Sequence, residues 1–176
     1  MGAYKFEMTL RDSNPLFKNI FFCPCNISFR DFANVITRTL MWLGDREKSF
    51  YIEGPDNFEI IDMDNMNKTM GINFKTLDES IVSDFLDKND KFVFLYGDPT
   101  PFIFDLKVLD IDYDGKNYPF LIEASNEHII ETSNGLLDYY KFLKNNDLDN
   151  SSKTFINKSF SLEEINDELS DFQPEE

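Results

Sequence analysis

The stretch that decides the fold is Ser28–Leu43, which reads SFRDFANVITRTLMWL. Its apolar side chains recur three or four residues apart and therefore share one face of a helix: Phe29, Phe32, Ala33, Ile36, Leu40 and Leu43. Ser28 followed by Asp31 has the form of a capping box at the start of a helix, and Gly44 supplies the end. We predict a central helix over about residues 28–43, packed on a sheet.

Strand patterns lie on both sides of this helix. Tyr4–Arg11 alternates apolar and polar residues, and Leu16–Cys23 follows a turn at Asp12–Pro15, which predicts an antiparallel hairpin. Phe50–Glu53 and Phe58–Asp62 read as a further pair of short strands. The order strand, strand, helix, strand predicts an α+β fold with a mixed or antiparallel sheet and an early β-β-α-β unit, as in β-grasp-like domains.

The second half of the chain continues with strands and short helices. We predict a short helix from Thr76 to about Leu86 and a strand at Lys91–Tyr96. A long strand at Phe102–Tyr113 is followed by Asp114-Gly115, a hairpin signal, so Tyr118–Glu123 is predicted to return as its partner.

The remaining segments are assigned by composition. Met63–Phe74 and Ala124–Asn134 read as loops, and Gly135–Leu143 reads as a helix. From Lys144 the sequence becomes rich in Asn, Asp and Ser. We therefore predict a single α+β domain over residues 1–145 and an acidic C-terminal arm over 146–176 that contains a short helix at about 161–170.

Charge and length limit the classes of function. The 176 residues carry a formal net charge of −16, whereas nucleic-acid binding depends on Lys and Arg that displace counterions, so nucleic acid is not an expected partner. Met1–Arg11 alternates instead of running apolar, and no stretch approaches the roughly 20 apolar residues of a membrane helix. We expect a cytoplasmic monomer or weak homodimer that does not associate with membranes.

Few residues are candidates for catalysis or metal binding. Cys23 and Cys25 are too close in sequence for a good disulfide. A zinc site would need two more ligands, and the chain has only one histidine, His128. A Cys23–His128 pair is the remaining nucleophilic arrangement, although nothing in the sequence places the two together. Asp110–Gly115 copies the start of a calcium loop, but Leu121 stands where the loop requires a Glu. We predict no catalytic residue, metal or cofactor.

Three blocks of the sequence match signature motifs in order. Cys23-Pro24 and Phe29–Trp42 follow the form of a strand ending in Val-Pro and a helix Phe-x-x-Leu-His-x-Val-Ile-Gln-x-Ala-Phe-Gly-Trp, with Ala33 in place of the histidine. Tyr96–Leu106 falls on Tyr-Asp-Phe-Gly-Asp-x-Trp-x-His-x-Ile. It keeps the first Tyr and has Phe102 for the Trp, but lacks the Asp and His positions.

The third block is Tyr-Pro with a later Glu-Asp-x-Gly-Gly-x-x-Gly-Tyr-x-x-Phe-Leu, matched by Tyr118-Pro119 and by Glu131–Leu143. Phe160–Asn166 supplies a matching ending, Phe-x-Leu-Glu-Glu-Ile-Asn. Together these blocks resemble the Ri-plasmid third-open-reading-frame family, a widespread group of bacterial and archaeal proteins of unknown function. The resemblance implies a fold and not a reaction.

The motif positions define a candidate binding cleft, although aromatic residues at such spacing are also typical of a core. The candidate residues are Tyr96, Phe102, Glu131, Gly135 and Tyr139. Our leading interpretation is a non-enzymatic module that binds an unknown protein or small ligand. One alternative is a degenerate or unusual enzyme with an acidic cleft around Glu131. Another, by family association alone, is a DNA-associated protein of mobile elements.

Overall fold

The computed structural model describes residues 2–54, 57–62, 73–113, 117–125, 128–132, 135–146 and 160–174, which build a mixed sheet with helices. The strands are β1 (Ala3–Leu10), β2 (Lys18–Pro24), β3 (Lys48–Ile52), β4 (Phe58–Ile61), β5 (Asn73–Thr76), β6 (Lys91–Tyr96), β7 (Phe102–Tyr113) and β8 (Phe120–Glu123). The helices are α1 (Phe29–Thr39), α2 (Val82–Phe85), α3 (Gly135–Asn146) and α4 (Leu162–Ser170).

The described strands lie in the order β5-β4-β3-β6-β7-β1-β2-β8. All neighbours are antiparallel except β4 and β5, which are parallel. The predicted hairpins β1–β2 and β3–β4 are both present, and α1 connects them. The α+β class and the early β-β-α-β unit are therefore confirmed.

The central helix packs on the sheet as predicted. Phe29, Phe32 and Ile36 are fully buried. The Phe32 ring lies 4.7 Å from that of Phe6 on β1, and the Phe29 ring lies 5.0 Å from that of Phe50 on β3. Helix α1 thus covers the middle of the sheet, and these rings bury a large apolar area where the helix meets the strands.

The start of α1 is closed by hydrogen bonds. The Asp31 amide donates to Ser28 Oγ at 3.0 Å, which confirms Ser28 as the N-cap. The Phe29 amide donates to the Ser80 carbonyl at 2.9 Å and the Arg30 amide to the Leu77 carbonyl at 3.1 Å. The free amides of the first turn are therefore used within the fold.

The prediction was wrong at the other end of the helix. Helix α1 ends at Thr39, and Met41 adopts a left-handed φ of 55° before Gly44 is reached. Because the chain leaves the helix at Met41, helical spacing no longer applies to Leu43. That side chain is 89% exposed instead of buried.

The predicted hairpin of β7 with β8 was also wrong. Strand β7 pairs with β6 on one side and with β1 on the other, so neither of its edges is available. Strand β8 pairs antiparallel with β2 instead, at one end of the sheet. The Asp114-Gly115 signal lies outside the described residues. Alternation predicts a strand but does not choose between distant partners.

Two further boundaries differ from the prediction. Asn73 and Phe74, predicted as loop, belong to β5, and the short helix expected from Thr76 begins at Val82. Both segments are short and polar, so their pattern carries little information on pairing. The rest of the predicted loop Met63–Phe74 lies outside the described residues.

Helix α4 closes the β8 end of the sheet. It begins with a capping box of Ser161 and Glu164 and buries Ile165 and Leu169 in the core. The Asn166 side chain donates to the Leu121 carbonyl at 2.9 Å and accepts from the Leu121 amide at 2.6 Å. A side-chain amide therefore takes the position that a further strand would occupy beside β8.

The sheet has two different faces. The face under α1, which we call the core face, carries buried aromatic and aliphatic residues of alternate positions, such as Phe6, Phe94 and Phe104. The opposite side, which we call the open face, carries the positions between them. Its half-buried residues on β1, β3, β6 and β7 include Lys5, Glu7, Thr9, Tyr51, Val93, Leu95, Ile103, Asp105 and Lys107.

Candidate functional site

The candidate site is organised around the carboxylate of Glu131, in the segment that precedes α3. The hydroxyl of Tyr96, at the end of β6, donates to Glu131 Oε1 at 2.5 Å. The backbone amide of Leu43 donates to Glu131 Oε2 at 3.0 Å. The Glu131 side chain is 14% exposed, so both oxygens accept hydrogen bonds in a largely buried setting.

Arg46 supplies the positive charge of the site. Its Nε lies 3.5 Å from Glu131 Oε1, and its Nη1 donates to the Thr132 carbonyl at 2.8 Å. Its own amide donates to the Tyr96 hydroxyl at 3.4 Å. We call Tyr96, Glu131 and Arg46 the Glu131 clamp, because their contacts hold the loop from Met41 to Arg46 at Leu43 and at Arg46.

The protonation state of Tyr96 suits a structural donor. Burial, and secondly the hydrogen bond to Glu131, hold the pKa of the Tyr96 hydroxyl well above its ordinary value. The phenol therefore stays protonated at neutral pH and donates to the carboxylate. It is not a candidate for a general base.

Trp42 connects the clamp to Phe102. The Trp42 indole N–H donates to the Ile129 carbonyl at 2.7 Å. Its ring centroid lies 5.2 Å from that of Tyr96 and 4.7 Å from that of Phe102. All three rings are buried, so Phe102 belongs to the same packed cluster as the clamp.

Gly135 and Tyr139 complete the group from α3. Gly135 has a φ of 63°, and a Cβ atom there would lie 2.7 Å from the Thr100 carbonyl oxygen, so the position requires glycine. The Thr132 hydroxyl donates to the Gly135 carbonyl at 2.7 Å. Tyr139 donates to the His128 carbonyl at 3.2 Å.

The structure thus brings all five predicted residues into one connected group. Tyr96, Phe102, Gly135 and Tyr139 are buried, and their contacts fill much of the space that a cleft would occupy. Whether Glu131 also contacts a ligand stays a prediction. Chemically, the arrangement is a carboxylate that binds two donors and a guanidinium and thereby fixes a loop.

A comparison with family models agrees with the motifs. The model of the plasmid pRiA4b ORF-3-like proteins matches residues 2–175. The chain belongs to this family. The plasmid pRiA4b ORF-3-like family is one of unknown function, so membership confirms the kinship and assigns no reaction.

Comparison with solved structures supports the fold. The chain is similar to the crystal structure of a protein of unknown function from Methanosarcina mazei Go1, with a TM-score of 0.73 and 15% sequence identity. The similarity covers 91% of each chain. No curated protein sequence matches this family member significantly.

Sequence reasoning missed two residues of this site. Arg46 and Leu43 contact Glu131 directly, but neither stands at one of the motif positions that resemble the plasmid pRiA4b ORF-3-like family. A signal for Arg46 was present, since the chain has only four arginines and this one follows shortly after the motif residue Trp42. Nothing in the pattern indicated that Leu43 is exposed.

The other predicted candidates lie elsewhere. Cys23 is buried on β2, where burial raises the pKa of its thiol well above the usual value and disfavours the nucleophilic thiolate. His128 packs edge-on against Phe160, with ring centroids 5.0 Å apart. The Asp110 carboxylate accepts from Lys88 Nζ at 3.0 Å, and Asp114 and Gly115 of the calcium-like run lie outside the described residues.

The described residues contain neither a metal-ligand cluster nor a membrane-spanning helix. No group of three or more His, Cys, Asp or Glu residues in that part of the chain is arranged to hold a metal ion. Among the helices described, none is both long and apolar enough to cross a membrane.

Proposed function

We propose that this member of the plasmid pRiA4b ORF-3-like family is a non-enzymatic protein-binding module, and that the loop from Met41 to Arg46 is its recognition element. One observation carries the proposal. Leu43 is the most exposed large apolar side chain in the described part of the chain, at 89%, yet its backbone amide is bound by the buried Glu131. An exposed apolar side chain on a fixed backbone can bury apolar area against a partner with little loss of conformational freedom.

The backbone around Leu43 is held in one conformation. Met41 and Gly44 have left-handed φ values of 55° and 73°, and Trp42 between them is anchored to the Ile129 carbonyl. A loop fixed before binding loses less conformational freedom when a partner docks. Pre-organisation therefore gives the Glu131 clamp a role in binding without any contact between Glu131 and the partner.

The enzymatic alternative has less support. A general base or a ligand contact at Glu131 needs an accessible carboxylate oxygen, but Oε1 accepts from Tyr96 and Oε2 accepts from Leu43. A role with DNA gains no support from a chain with a net charge of −16. A small ligand remains the other member of the binding class.

The charge also bears on the partner. Two copies with a net charge of −16 repel each other, so we expect at most weak self-association and a different protein as partner.

We also propose a cytoplasmic location. Cys23 and Cys25 are free thiols in the structure, as is typical of a reducing compartment.

Site-specific photo-crosslinking in the source cells tests this proposal. A photoreactive amino acid at position 43 should form one dominant protein adduct, which mass spectrometry identifies. The matched control places the same group at Leu162, an apolar side chain on α4 that is 40% exposed. The same adduct from both positions, or none from position 43, would contradict a docking role for the loop.

The identified partner then permits a quantitative test with purified proteins. Leu43→Asp should weaken binding by at least about fivefold, because loss of an anchor side chain at an interface costs more than about 1 kcal/mol. Its melting temperature should equal that of the wild type, since the side chain is exposed. Leu162→Asp should bind normally. Equal affinity of Leu43→Asp and wild type would rule out Leu43 as the anchor.

A further inference from the structure

A small cavity adjoins the loop from Met41 to Arg46, which we call the recognition loop. Its volume is about 30 Å³, which has room for about one water molecule and not for an organic ligand. Met41, the first residue of the recognition loop, lines it. Most of the wall is apolar, and its polar side chains are Asn19, Thr39, Ser125 and His128. The cavity therefore joins the only histidine of the chain to the recognition loop.

Asn19 presents a hydrogen-bond donor to this cavity. The residue is only 2% exposed, and its Oδ1 accepts from the Ser125 amide at 2.9 Å. Its Nδ2 donates to no other residue in the described part of the chain. Because the oxygen is occupied, the group that Asn19 offers to a neighbour in the cavity is a donor.

The His128 imidazole suits such a donor only in its neutral form. Neither ring nitrogen hydrogen-bonds to another described residue. A neutral imidazole has one acceptor nitrogen, which Asn19 Nδ2 can use directly or through a water molecule, whereas an imidazolium has two donors and no acceptor. Protonation therefore sets donors against each other in a space too small to separate them.

No charged side chain in the wall stabilises an imidazolium. The described side chains that line the cavity with His128 are uncharged. Tyr139 is a further titratable group in contact, since its hydroxyl donates to the His128 carbonyl at 3.2 Å. The nearest described charged residues on the surrounding elements do not line the cavity. They are Lys18 of β2, Arg38 of α1, Glu123 of β8, Glu131 of the clamp, Asp138 of α3 and Glu164 of α4.

The backbone beside His128 carries the supports of the recognition loop. The Ile129 carbonyl accepts from the Trp42 indole N–H at 2.7 Å, and Glu131 Oε2 accepts from the Leu43 amide at 3.0 Å. These acceptors follow His128 within one short segment of chain. Displacement of the His128 ring from the cavity would therefore move the groups that hold the loop.

We infer that protonation of His128 loosens the recognition loop, so that mild acid weakens docking of the partner. The inference rests on the proposed function, because it names a regulation of the same loop. The loosening itself involves only groups of this chain and can be measured without a partner.

The direction of the effect follows from linkage. Burial lowers the pKa of His128 in the closed form below 6.5, and exposure of the ring to water returns the pKa towards that value. As the pH falls below about 6.5, the open form therefore binds a proton that the closed form does not, and opening becomes more favourable. The effect levels off once the pH lies below the pKa of the closed form.

Hydrogen exchange of the full chain, measured by NMR at about pH 7 and pH 5.5 and expressed as protection factors, tests the inference. The protection of the Leu43 amide and of the Trp42 indole N–H should fall at least about twofold, because about a third of a pKa unit already changes the opening equilibrium by that factor. The amide of Phe104, in the sheet interior, should keep its protection. His128 is the single histidine, so its ring signals also give its titration midpoint, which should lie below 6.5.

Two variants serve as matched controls. His128→Gln cannot titrate, so its protection at Leu43 should not depend on pH. Asn19→Asp replaces the donor with a carboxylate that accepts from an imidazolium, so it should raise the midpoint of the His128 ring and remove the loss of protection. The ring titration and the exchange of the wild type still decide the question if neither variant folds.

Three results would overturn the inference. They are protection at Leu43 that does not change with pH in the wild type, an equal fall in His128→Gln, and an equal fall at Phe104, which would show global unfolding. Photo-crosslinking from position 43 at neutral pH tests the proposed function separately. An adduct without any loss of protection in acid contradicts this inference alone, whereas pH-dependent protection without an adduct contradicts the docking role alone.

Discussion

Residues of the core face and of the open face alternate along the same strands, but they make different kinds of interaction. On β7, Phe104 points to the core face and is fully buried, while the next residue, Asp105, is half-buried on the open face and pairs with Arg11. Close packing constrains the first position, whereas the exposed ion pair at the second contributes little to stability. Neighbours in sequence can therefore tolerate very different substitutions, and the expected effects of mutation follow the burial of each position.

The largest effect is expected in the core face. Phe32 is fully buried against Phe6, and Phe32→Ala should lower the free energy of unfolding by about 3–5 kcal/mol through lost burial and a cavity. Urea denaturation measures this change. Leu43→Ala is the matched control at an exposed apolar position and should change stability by less than about 0.5 kcal/mol. Similar losses in both variants would break the distinction between buried and exposed positions.

A smaller loss is expected at the Glu131 clamp, which is polar but buried. Glu131→Gln replaces one acceptor oxygen by a donor, so one of the hydrogen bonds from Tyr96 or Leu43 loses its partner. The expected destabilisation is about 1–3 kcal/mol, together with faster hydrogen exchange at the Leu43 amide. Denaturation and exchange measured by NMR check both effects.

Tyr96→Phe sharpens the same test. It removes the hydroxyl that donates to Glu131 Oε1 but keeps the ring beside Trp42. Because both residues belong to one network, the loss in the double variant should be smaller than the sum of the single losses. Strict additivity would show that Tyr96 and Glu131 act independently.

Most of the fold was predictable because its signals are local. The spacing of Phe29, Phe32 and Ile36 fixed the helix, and alternation fixed β1, β6 and β7. Pairing of β8 with β2 was not predictable, since a strand pattern does not name its partner. The prediction that Leu43 is buried was wrong for a local reason. The chain leaves the helix at Met41, which has a left-handed φ, whereas the sequence predicted the helix end at Gly44.

The candidate site was predictable only in part. Motif positions named Tyr96, Glu131 and Gly135, and these do lie in one group. Its rarity as one of four arginines was the only signal for Arg46, because its contacts with Glu131 and Thr132 depend on the path of the loop. The division into residues 1–145 and an arm from 146 stays a prediction, although α4 packs on β8 and α1.

The edge of the sheet at β8 belongs to neither face, and a substitution there should have an effect of intermediate size on stability. Asn166→Ala removes both hydrogen bonds to the Leu121 backbone, and the expected destabilisation is about 1–2 kcal/mol. The Leu121 amide should exchange faster, while the amide of Phe104 in the sheet interior should not. Unchanged protection of Leu121 would mean that Asn166 does not guard the edge.

The smallest predicted effect concerns pH and His128. Burial lowers the pKa of the folded His128 below the value of 6.5 that it has when exposed. As pH falls below about 6.5 the unfolded chain therefore binds a proton that the folded chain does not, and the free energy of unfolding decreases. The decrease should level off once the pH lies below the folded pKa, because both states are then protonated.

The residue His128 lines a small cavity with Asn19 and Ser125, where the Ser125 amide already donates to Asn19 Oδ1 at 2.9 Å. These neighbours carry no charge that could stabilise an imidazolium. Chemical denaturation from pH 5.5 to 7.5 should show a steeper loss of stability toward low pH in the wild type than in His128→Gln, which cannot titrate. Parallel curves would mean that the folded imidazole is as easily protonated as an exposed one, and its half-buried position would then have no energetic consequence.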